Sequence, residues 1–558
     1  MRGFHTIQKD HDANLRTRHS MSSSSPAKFV FTLSILSMLL LWLSFPPIGW
    51  SFLAWVSLLP LIYLIADEKA LTRKNYWQIW AAGFLYWLAT FYFIPIPHPA
   101  LWLGWLVISA YLACYLPLTV LSSRTLNRRF RLPLILAIPA CWVGMELVRS
   151  YLFTGMGLVC LSHTQFLEPV FLQVCDLSGA YTLTFAIVTV ATGIFLFGNC
   201  LASRRSIALT NLAIAALVFT AVIFYGQSKQ AETLVDGDQK LKVALIQASI
   251  DTNLMSTEEE YIEFVEKKFQ QYQQLNAEAL SKWDFVDLVV WPENGWPVQD
   301  LHPDTDKSMM SASEIAVFQD YFVKAYASLF VRGKNMPRYL VGALTIDPVR
   351  RDSYGSAIYI DELGTLKNRY YKNHLVMFGE YIPLRDWFPL LQRIPAIGKG
   401  LVAGTEPVSI DIKNFKVSPS ICFESTVPHY IRNQVNTLIE QGEEPDVLVN
   451  LTNDGWFYGT SCLDFHLACN VLRAVEMRKP HLVCANTGFS AHIDEKGNIV
   501  EQGPRRETDV ILATVSKVNS KSLYRVIGDT IPIAFACISV LGILLGIFGG
   551  AQTPTSND

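Results

Sequence analysis

The chain has 558 residues, a formal net charge of −2, 51% hydrophobic residues and only 17% charged residues. A chain of this length is long enough for roughly three or four domains. The near-neutral charge, with no basic surface that stands out, argues against nucleic acid as a general partner. The hydrophobic fraction and the positive mean hydropathy indicate a membrane protein.

The ten cysteines are spread along the chain, and their spacing predicts no metal site. None forms a CxxC pair or a Cys/His ligand pattern, so zinc is not expected, and no other cofactor is predicted. Cys462, Cys469 and Cys484 lie outside the apolar regions and are able to pair in an oxidising compartment, but the sequence leaves their pairing open.

Apolar runs dominate residues 29–226, and one more run spans 526–549. About twenty apolar residues cross the hydrocarbon of a bilayer, so the pattern predicts seven transmembrane helices in the first region and an eighth in the second. Residues 1–28 are polar and basic and are predicted to form a cytoplasmic N-terminal segment, with Met21 as an alternative start. The seven runs of the first region lie at 29–45, 50–66, 76–95, 101–122, 131–148, 178–199 and 207–226.

The charges between these runs predict which side of the membrane each loop occupies. Three basic residues lie in loop 67–75 and four arginines in loop 123–131, whereas the alternate loops are neutral or acidic. Lys and Arg are enriched in cytoplasmic loops, so the pattern predicts a cytoplasmic N-terminus and an extracytoplasmic segment 227–525. In a bacterium this segment would face the periplasm from the inner membrane, and residues 550–558 would be a cytoplasmic tail.

Two ionisable residues interrupt the apolar segment 138–158. Glu146 and Arg149 are three positions apart and therefore share one face of a helix. Charged groups at membrane depth are costly and are often functional. The alternative is a pair that extends its charged ends to the membrane surface, and the sequence does not decide between the two.

Short apolar runs alternate with amphipathic stretches between residues 242 and 516. This alternation predicts an α/β domain with helices outside stacked sheets. The predicted strands are 242–250, 286–291, 338–346, 355–361, 407–413, 416–422, 446–452, 481–487, 489–494 and 510–516, and the predicted helices are 257–280, 313–330 and 463–478.

Three reactive side chains lie where strands of this domain end. Cys422 follows the apolar run KVSPSI, Glu293 follows VVWP, and Lys372 lies in RYYKNHL. Each has a plain structural alternative: a core thiol, a surface carboxylate and a surface ammonium. Together they supply a nucleophile, a base and a cation, so we interpret them as one catalytic site.

The chemistry explains why these residue types belong together. A thiol needs a neighbouring base or cation to become an attacking thiolate. A carboxylate in apolar surroundings, here flanked by Trp291 and Trp296, has a raised pKa and can take the proton. The ammonium of Lys372 favours thiolate and stabilises the oxyanion formed at an attacked carbonyl, to which the backbone N–H of Phe423 can also donate.

The motifs around these residues resemble those of a known family. The contexts W-P-E, K-N-H-L and I-C-F-E, in this order, are similar to the carbon–nitrogen hydrolase (nitrilase) superfamily, whose fold is an αββα sandwich. Such a domain placed between seven predicted spans and an eighth resembles the apolipoprotein N-acyltransferase family. Further matching stretches are K-N-H-L-V-M-F-G-E-Y-I-P at 372–383, N-D-G-W-F at 453–457, R-A-V-E-M-R-K-P at 473–480 and A-N-T-G-F-S at 485–490.

The resemblance implies roles for individual residues. The family's catalytic triad corresponds to Glu293, Lys372 and Cys422. Its supporting residues correspond to Glu380, Glu424, Trp456 and the backbone of Phe423. This chain departs from the better-known members in carrying Phe423 where tyrosine is usual, and in lacking a tryptophan in the stretch 249–256.

The resemblance also implies a reaction and its partners. A phospholipid, typically phosphatidylethanolamine, would donate an acyl chain to Cys422, and the diacylglyceryl-cysteine of an apolipoprotein would accept it as an amide. One alternative is a membrane-tethered amidase that uses water as the acceptor, and another is a scaffold or transporter whose soluble domain only binds. The apolar stretch 387–400 is expected either to enter the membrane leaflet or to be a packing loop.

Overall fold

The computed structural model describes residues 27–201, 204–232, 235–251, 257–329, 335–383 and 400–548. These residues form a helical part, to which both ends of the described chain contribute, and a part built on two β-sheets. The predicted tail, and nearly all of the predicted cytoplasmic segment and of the stretch 387–400, lie outside the described residues.

Every predicted apolar run coincides with helical structure. The helices before the sheets are α1 (Ala27–Leu43), α2 (Leu59–Ala66), α3 (Arg73–Thr90), α4 (Leu101–Ala113), α5 (Tyr115–Phe130), α6 (Leu134–Tyr151), α7 (Pro169–Leu172), α8 (Cys175–Ser178), α9 (Ala180–Cys200) and α10 (Arg205–Ala231). Helix α3 begins with a capping box between Thr72 and Asn75.

Five helical stretches among the described residues are long and apolar enough to cross a membrane. They are Leu101–Phe130, Leu134–Tyr151, Ala180–Cys200, Arg205–Ala231 and Thr530–Phe548. The first two apolar helices are shorter, and α3 carries charged and polar residues in its first turns. The count of eight spans therefore remains a prediction.

The outermost helices expose large apolar side chains. Phe224 of α10 is 74% exposed, and Phe548 at the end of the last helix is 79% exposed. A soluble protein buries such side chains, so contiguous exposed apolar surface indicates contact with something other than water. This distribution is typical of helices that face lipid.

Glu146 and Arg149 are both buried inside the helical part, so their charged ends do not extend to a surface and that alternative is wrong. The Glu146 carboxylate accepts hydrogen bonds from the backbone N–H of Leu161 at 2.9 Å and from the Thr184 hydroxyl at 3.0 Å. Arg149 donates to the carbonyl of Val159 at 3.2 Å. The pair thus fastens the loop after α6 onto neighbouring helices.

The two sheets form the core of the second part, as the sequence predicts. The strands are β1 (Val235–Gln247), β2 (Leu288–Trp291), β3 (Asp300–Leu301), β4 (Arg338–Asp347), β5 (Asp352–Ile360), β6 (Leu366–Tyr371), β7 (Ile410–Ile412), β8 (Phe415–Ile421), β9 (Val447–Thr452), β10 (His481–Ala485), β11 (Ala491–Ile493), β12 (Ile499–Gln502) and β13 (Asp509–Val518). The helices are α11 (Glu258–Lys282), α12 (Ala312–Ala327), α13 (Pro428–Glu440), α14 (Cys462–Met477), α15 (Leu523–Ile527) and α16 (Thr530–Phe548).

One sheet has the order β13-β1-β2-β4-β5-β6, with β3 beside β4, and the other has the order β12-β11-β10-β9-β8-β7. Apolar side chains from both sheets, such as Leu245, Val290, Val417 and Val449, pack together in one core. Side chains of α11 and α12 cover the outer face of the first sheet. The arrangement is the predicted sandwich of two sheets with helices outside.

Parallel pairing brings several strand ends to one edge. β1, β2 and β4 are parallel in the first sheet, and β8, β9 and β10 are parallel in the second. β6 is antiparallel to β5, which is antiparallel to β4, so β6 runs in the same direction as β2. In α/β sheets ligands bind at the carboxyl ends of parallel strands.

Helix α14 lies between the second sheet and the helical part. Its Phe465 ring packs against Phe45 of the helical part at a centroid distance of 6.1 Å. At the end of α14, Arg478 pairs with Asp176 at 2.6 Å, and Glu476 accepts the backbone N–H of Ala180 at 2.8 Å. The sheets are therefore fixed directly on the apolar helices.

Candidate active site

Cys422 lies at the end of β8, where the sequence predicts it. The strand ends at Ile421, and Cys422 begins the short 3-10 helix Cys422–Thr426. Its φ of 51° is in the left-handed region, which a residue with a Cβ adopts only when its surroundings enforce it. The turn leaves the thiol half-buried at the strand end rather than inside the sheet.

Glu293 reaches the same place from the other sheet. It follows β2 and Pro292, and the strand beside it carries Gly342, where an added Cβ would overlap the backbone of Pro292 and Glu293. The Glu293 carboxylate accepts the backbone N–H of Asn453 at 3.1 Å, and the Cys422 side chain is close enough to lower its pKa. A glycine is thus required for the two strands to approach closely enough to position this carboxylate.

Lys372 joins the two carboxylates of the site. It follows the last residue of β6, and its side chain is completely buried. Its Nζ lies 2.6 Å from Glu380 Oε1 and 3.2 Å from Glu293 Oε1. One ammonium therefore serves two carboxylates, and Glu380 is held in turn by the N–H of Val376 at 2.8 Å.

The electrostatics of the three groups are coupled. Burial raises the pKa of the Cys422 thiol well above its ordinary value, although Lys372 acts in the opposite direction. Burial also raises the pKa of Glu293. For Lys372 burial lowers the pKa, but Glu293, Cys422 and Glu380 outweigh this and raise it well above its ordinary value. Burial thus favours the neutral thiol and the two carboxylates favour the charged lysine, so deprotonation of Cys422 calls for a base in addition to the lysine.

Glu424 connects two of the strand ends. This completely buried carboxylate accepts four hydrogen bonds, from the Tyr370 hydroxyl at 2.7 Å and from the backbone N–H groups of Asn373 at 2.7 Å, His374 at 2.9 Å and Ile421 at 2.6 Å. The first three donors lie beside Lys372 and the fourth beside Cys422. Glu424 therefore sets the distance between the nucleophile and the cation.

The other predicted residues lie around this centre. Phe423 stacks on His374 at 5.9 Å, and its N–H is in the first turn of the 3-10 helix, where amides have no acceptor within the helix. Trp456 is half-buried in the 3-10 helix Asp454–Phe457. The contacts described above bring Glu293, Lys372, Glu380 and the segment 422–424 together, and Trp456 lies three residues after Asn453, whose N–H contacts Glu293.

Two backbone groups that contact site residues are not among the predicted site residues. The first is the N–H of Asn453, which positions Glu293. Asn453 lies in the N-D-G-W-F stretch, so that motif could have indicated its contact with the site. The carbonyl of Thr154, in the loop after α6, lies 2.9 Å from His374 Nε2. Because Thr154 belongs to the helical part, no local pattern indicates that it approaches the site.

All ten cysteines are free thiols. Cys462, Cys469 and Cys484 are each buried, and Cys484 donates to the carbonyl of Val290 between the two sheets at 3.2 Å. The three thiols whose pairing the sequence left open therefore form no disulfide.

Comparison with known proteins identifies both parts of the chain. Residues 37–193 match the family model of the apolipoprotein N-acyltransferase N-terminal domain, and residues 242–524 match that of carbon–nitrogen hydrolase. Over 534 residues the chain is 30% identical to an apolipoprotein N-acyltransferase of Rhodopirellula baltica, covering 88% of this chain and 92% of that one. A protein of the same name from Geobacter metallireducens is 29% identical, covering 93% and 95% of the two chains. The chain therefore belongs to the apolipoprotein N-acyltransferase family, with a carbon–nitrogen hydrolase domain fixed on apolar helices.

Proposed function

We propose that the chain transfers an acyl chain from a phospholipid to the N-terminal amine of a diacylglyceryl-cysteine, by way of a thioester on Cys422. As a member of its family the chain is an acyltransferase of lipoprotein biosynthesis. One observation supports the residue assignment above all: the Lys372 ammonium contacts both Glu293 and Glu380 beside the Cys422 thiol. A nucleophile, a base and an oxyanion partner are thereby within reach of one carbonyl carbon.

In the first half-reaction Glu293 accepts the proton of Cys422, and the sulfur attacks the ester carbonyl of the phospholipid. The oxyanion that forms is stabilised by the Lys372 ammonium and the N–H of Phe423. When this intermediate collapses, the C–O bond to the glycerol breaks, Glu293 returns the proton to the leaving oxygen, and lysophospholipid departs.

In the second half-reaction the free α-amine of the acceptor attacks the thioester carbonyl. Glu293 takes one proton from the amine, the C–S bond breaks, and the proton returns to the sulfur of Cys422. The product is an amide, which is more stable than the thioester, and the enzyme regains its thiol. Glu380 keeps Lys372 in place through both halves.

The apolar helices provide a reason for the substrates to be lipids. Donor and acceptor are both confined to a leaflet, so a site fixed on membrane helices meets them at a high local concentration.

We assign the donor as phosphatidylethanolamine, with its sn-1 chain transferred. Residues 29–226 form seven transmembrane helices and 526–549 an eighth, and residues 227–525 face the periplasm from the inner membrane, an orientation supported by the loop charges.

The same triad also serves a membrane-tethered amidase with water as the second acceptor. The helices beneath the sheets favour acyl transfer, because hydrolysis of a soluble amide has no need of a lipid-facing platform. The discriminating observation is whether an amine or water receives the acyl group.

The proposal is tested with purified protein incubated with vesicles of phosphatidylethanolamine that carries one defined acyl chain. Intact mass is expected to rise by that acyl group, and hydroxylamine is expected to remove it. Addition of a diacylated lipopeptide with a free N-terminus discharges the adduct onto the peptide, whereas an N-acetylated control peptide does not. A folded protein that never acquires the adduct contradicts the mechanism.

A further inference from the structure

A buried histidine contacts the backbone of the Cys422 nucleophile. His466 is in the second turn of α14 and is 6% exposed. Its Nε2 lies 3.1 Å from the carbonyl oxygen of Cys422, and its Nδ1 lies 3.0 Å from Asp454 Oδ1. The ring therefore bridges a carboxylate and the backbone of the nucleophile.

The partners determine where the protons of His466 are. A peptide carbonyl only accepts, so the contact with Cys422 is a hydrogen bond only when Nε2 carries a proton. A carboxylate oxygen also only accepts, so the contact between Nδ1 and Asp454 Oδ1 is a hydrogen bond when Nδ1 carries a proton. The Thr452 hydroxyl lies 3.3 Å from Asp454 Oδ1 and 3.4 Å from Nδ1. Two protonated ring nitrogens make an imidazolium.

The surroundings stabilise this charge. Burial alone lowers the pKa of His466, but the carboxylate of Asp454, followed by the Cys422 carbonyl and Glu293, outweighs burial and raises the pKa above its ordinary value. On the neighbouring strand β10, His481 has its pKa lowered to about 3 by burial and contributes no charge. The backbone of Gly488 lies so close to Asp454 that an added Cβ would overlap the carboxylate. Asp454 and His466 are therefore enclosed.

The carbonyl that His466 contacts belongs to a peptide unit with a second role. The same planar unit carries the N–H of Phe423, the amide proposed above as an oxyanion donor. In a trans peptide the C=O and N–H point in opposite directions, so anchoring the carbonyl fixes the direction of the amide. A donor on the carbonyl also polarises the unit and makes its N–H a stronger donor.

We propose that His466 is a positioning residue for acyl transfer: with Asp454 on its far side, its Nε2–H anchors the Cys422–Phe423 peptide and fixes the amide of Phe423 as the oxyanion donor. The same contact stabilises the left-handed backbone of Cys422, whose φ is 51°. This inference rests on the proposed role of Cys422 as the acyl carrier. His466 touches no reacting atom and acts through the peptide it holds.

Ser425 provides an internal test of the protonation state. Its hydroxyl lies 3.1 Å from His466 Nε2 and 3.3 Å from the Cys422 carbonyl. When Nε2 loses its proton, the hydroxyl can turn and donate to it, and the carbonyl then loses the histidine. Ser425 therefore stabilises the neutral ring, whereas Asp454 stabilises the charged ring, and their removal shifts the pKa of His466 in opposite directions.

The experiment measures the rate constant for Cys422 acylation from phosphatidylethanolamine vesicles as a function of pH. The rate falls as pH rises through the pKa of His466, because the donor is lost. Asp454→Asn moves this fall to lower pH, and Ser425→Ala moves it to higher pH. His481→Gln, which alters another completely buried histidine, leaves the position of the fall unchanged.

His466→Gln abolishes the alkaline fall and lowers the acylation rate by about 100-fold at neutral pH, with little change in the vesicle concentration that gives half the maximal rate, because an oxyanion donor acts in the transition state. Thermal unfolding of each variant establishes that it is folded. An alkaline fall that stays in place in folded Asp454→Asn and Ser425→Ala overturns the inference, as does a His466→Gln variant with wild-type acylation. A wild-type protein without the Cys422 adduct would instead overturn the proposed function.

Discussion

The chain has one cluster of buried charge at the strand ends and another where α14 meets the helical part, and their difference separates a reactive site from a structural one. The active-site cluster consists of Glu293, Lys372 and Glu380. The interface cluster consists of Asp176, Arg473, Glu476 and Arg478, where α14 meets the helical part. Both combine buried cations with carboxylates, and residue type alone does not distinguish them.

The balance of charge does distinguish them. In the interface cluster each arginine faces its own carboxylate, Arg473 with Glu476 at 2.7 Å and Arg478 with Asp176 at 2.6 Å, and all four side chains are at most 4% exposed. In the active-site cluster one lysine contacts two carboxylates, which remain 13% and 18% exposed. A cluster with one carboxylate in excess and an opening to solvent can accept a proton, whereas the balanced and closed cluster is not arranged to do so.

The largest expected effect is that of removing the nucleophile. Cys422→Ala is expected to lower acyl transfer by about 10⁴-fold or more, since without the sulfur no covalent intermediate forms. The acyl adduct in intact mass and the transfer of a labelled acyl chain to lipopeptide measure this. Cys484→Ala, which removes another buried thiol between the sheets, is the matched control and is expected to retain transfer. Equal losses of acyl transfer in both variants would mean that the loss comes from disturbed packing and not from removal of the nucleophile.

The acidic side of the pH profile tests the unbalanced cluster. Burial raises the pKa of Glu293, and Lys372 opposes this. Only the carboxylate form takes the thiol proton, so acylation falls by about tenfold per pH unit as pH drops below this pKa. Lys372→Met removes the opposing charge and is expected to move the fall to higher pH. A fall in acylation at the same pH in wild type and variant would contradict the effect of Lys372 on the pKa of Glu293.

The interface cluster is expected to affect stability rather than chemistry. Arg478→Met leaves Asp176 buried without its partner and is expected to lower the free energy of unfolding by about 3–5 kcal/mol. The double variant Arg478→Met with Asp176→Leu is expected to lower it less, because no unpaired charge remains buried. Thermal unfolding in detergent measures both. Acylation per folded molecule stays at the wild-type rate, and a specific loss of acylation in the double variant would show that this cluster shares in catalysis.

The smallest effect is expected at Phe423. Phe423→Tyr restores the residue usual in the better-known members, yet acylation should change by less than about threefold, because the backbone N–H is the donor to the oxyanion. The acylation rate constant measures this, with Tyr458→Phe, a hydroxyl removed from an exposed ring, as the control. A tenfold gain in Phe423→Tyr would assign the hydroxyl a role that this chain lacks.

Much of the fold follows from local pattern. The strands with clear apolar runs, β8 and β9 among them, and the long amphipathic helices α11 and α14 are predicted within a few residues. The edge strand β6 is not, because Lys367, Asn368 and Arg369 interrupt it and only one of its residues is fully buried. Helix α13 is missed although Pro428 begins it and Ile431, Val435 and Leu438 form a buried stripe at helical spacing.

The site is predictable to a similar degree. Cys422, Glu293 and Lys372 are each identified from the strand end or motif that carries them, and Glu380, Glu424 and Trp456 from their motifs. The role of Glu424 is not predictable, because its four donors come from two segments far apart in the chain. His466 is not predictable either, since a single histidine on an amphipathic helix carries no distinguishing pattern.

The sequence by itself determined which residue types end the strands, where the apolar helices lie and which family the motifs resemble. Only the tertiary structure decided that one lysine contacts two carboxylates, that burial raises the pKa of the Cys422 thiol, and that Glu146 and Arg149 are enclosed. The physical reason is that a pKa depends on burial and on distances of a few ångströms. Both are set by packing between segments that local sequence pattern does not connect.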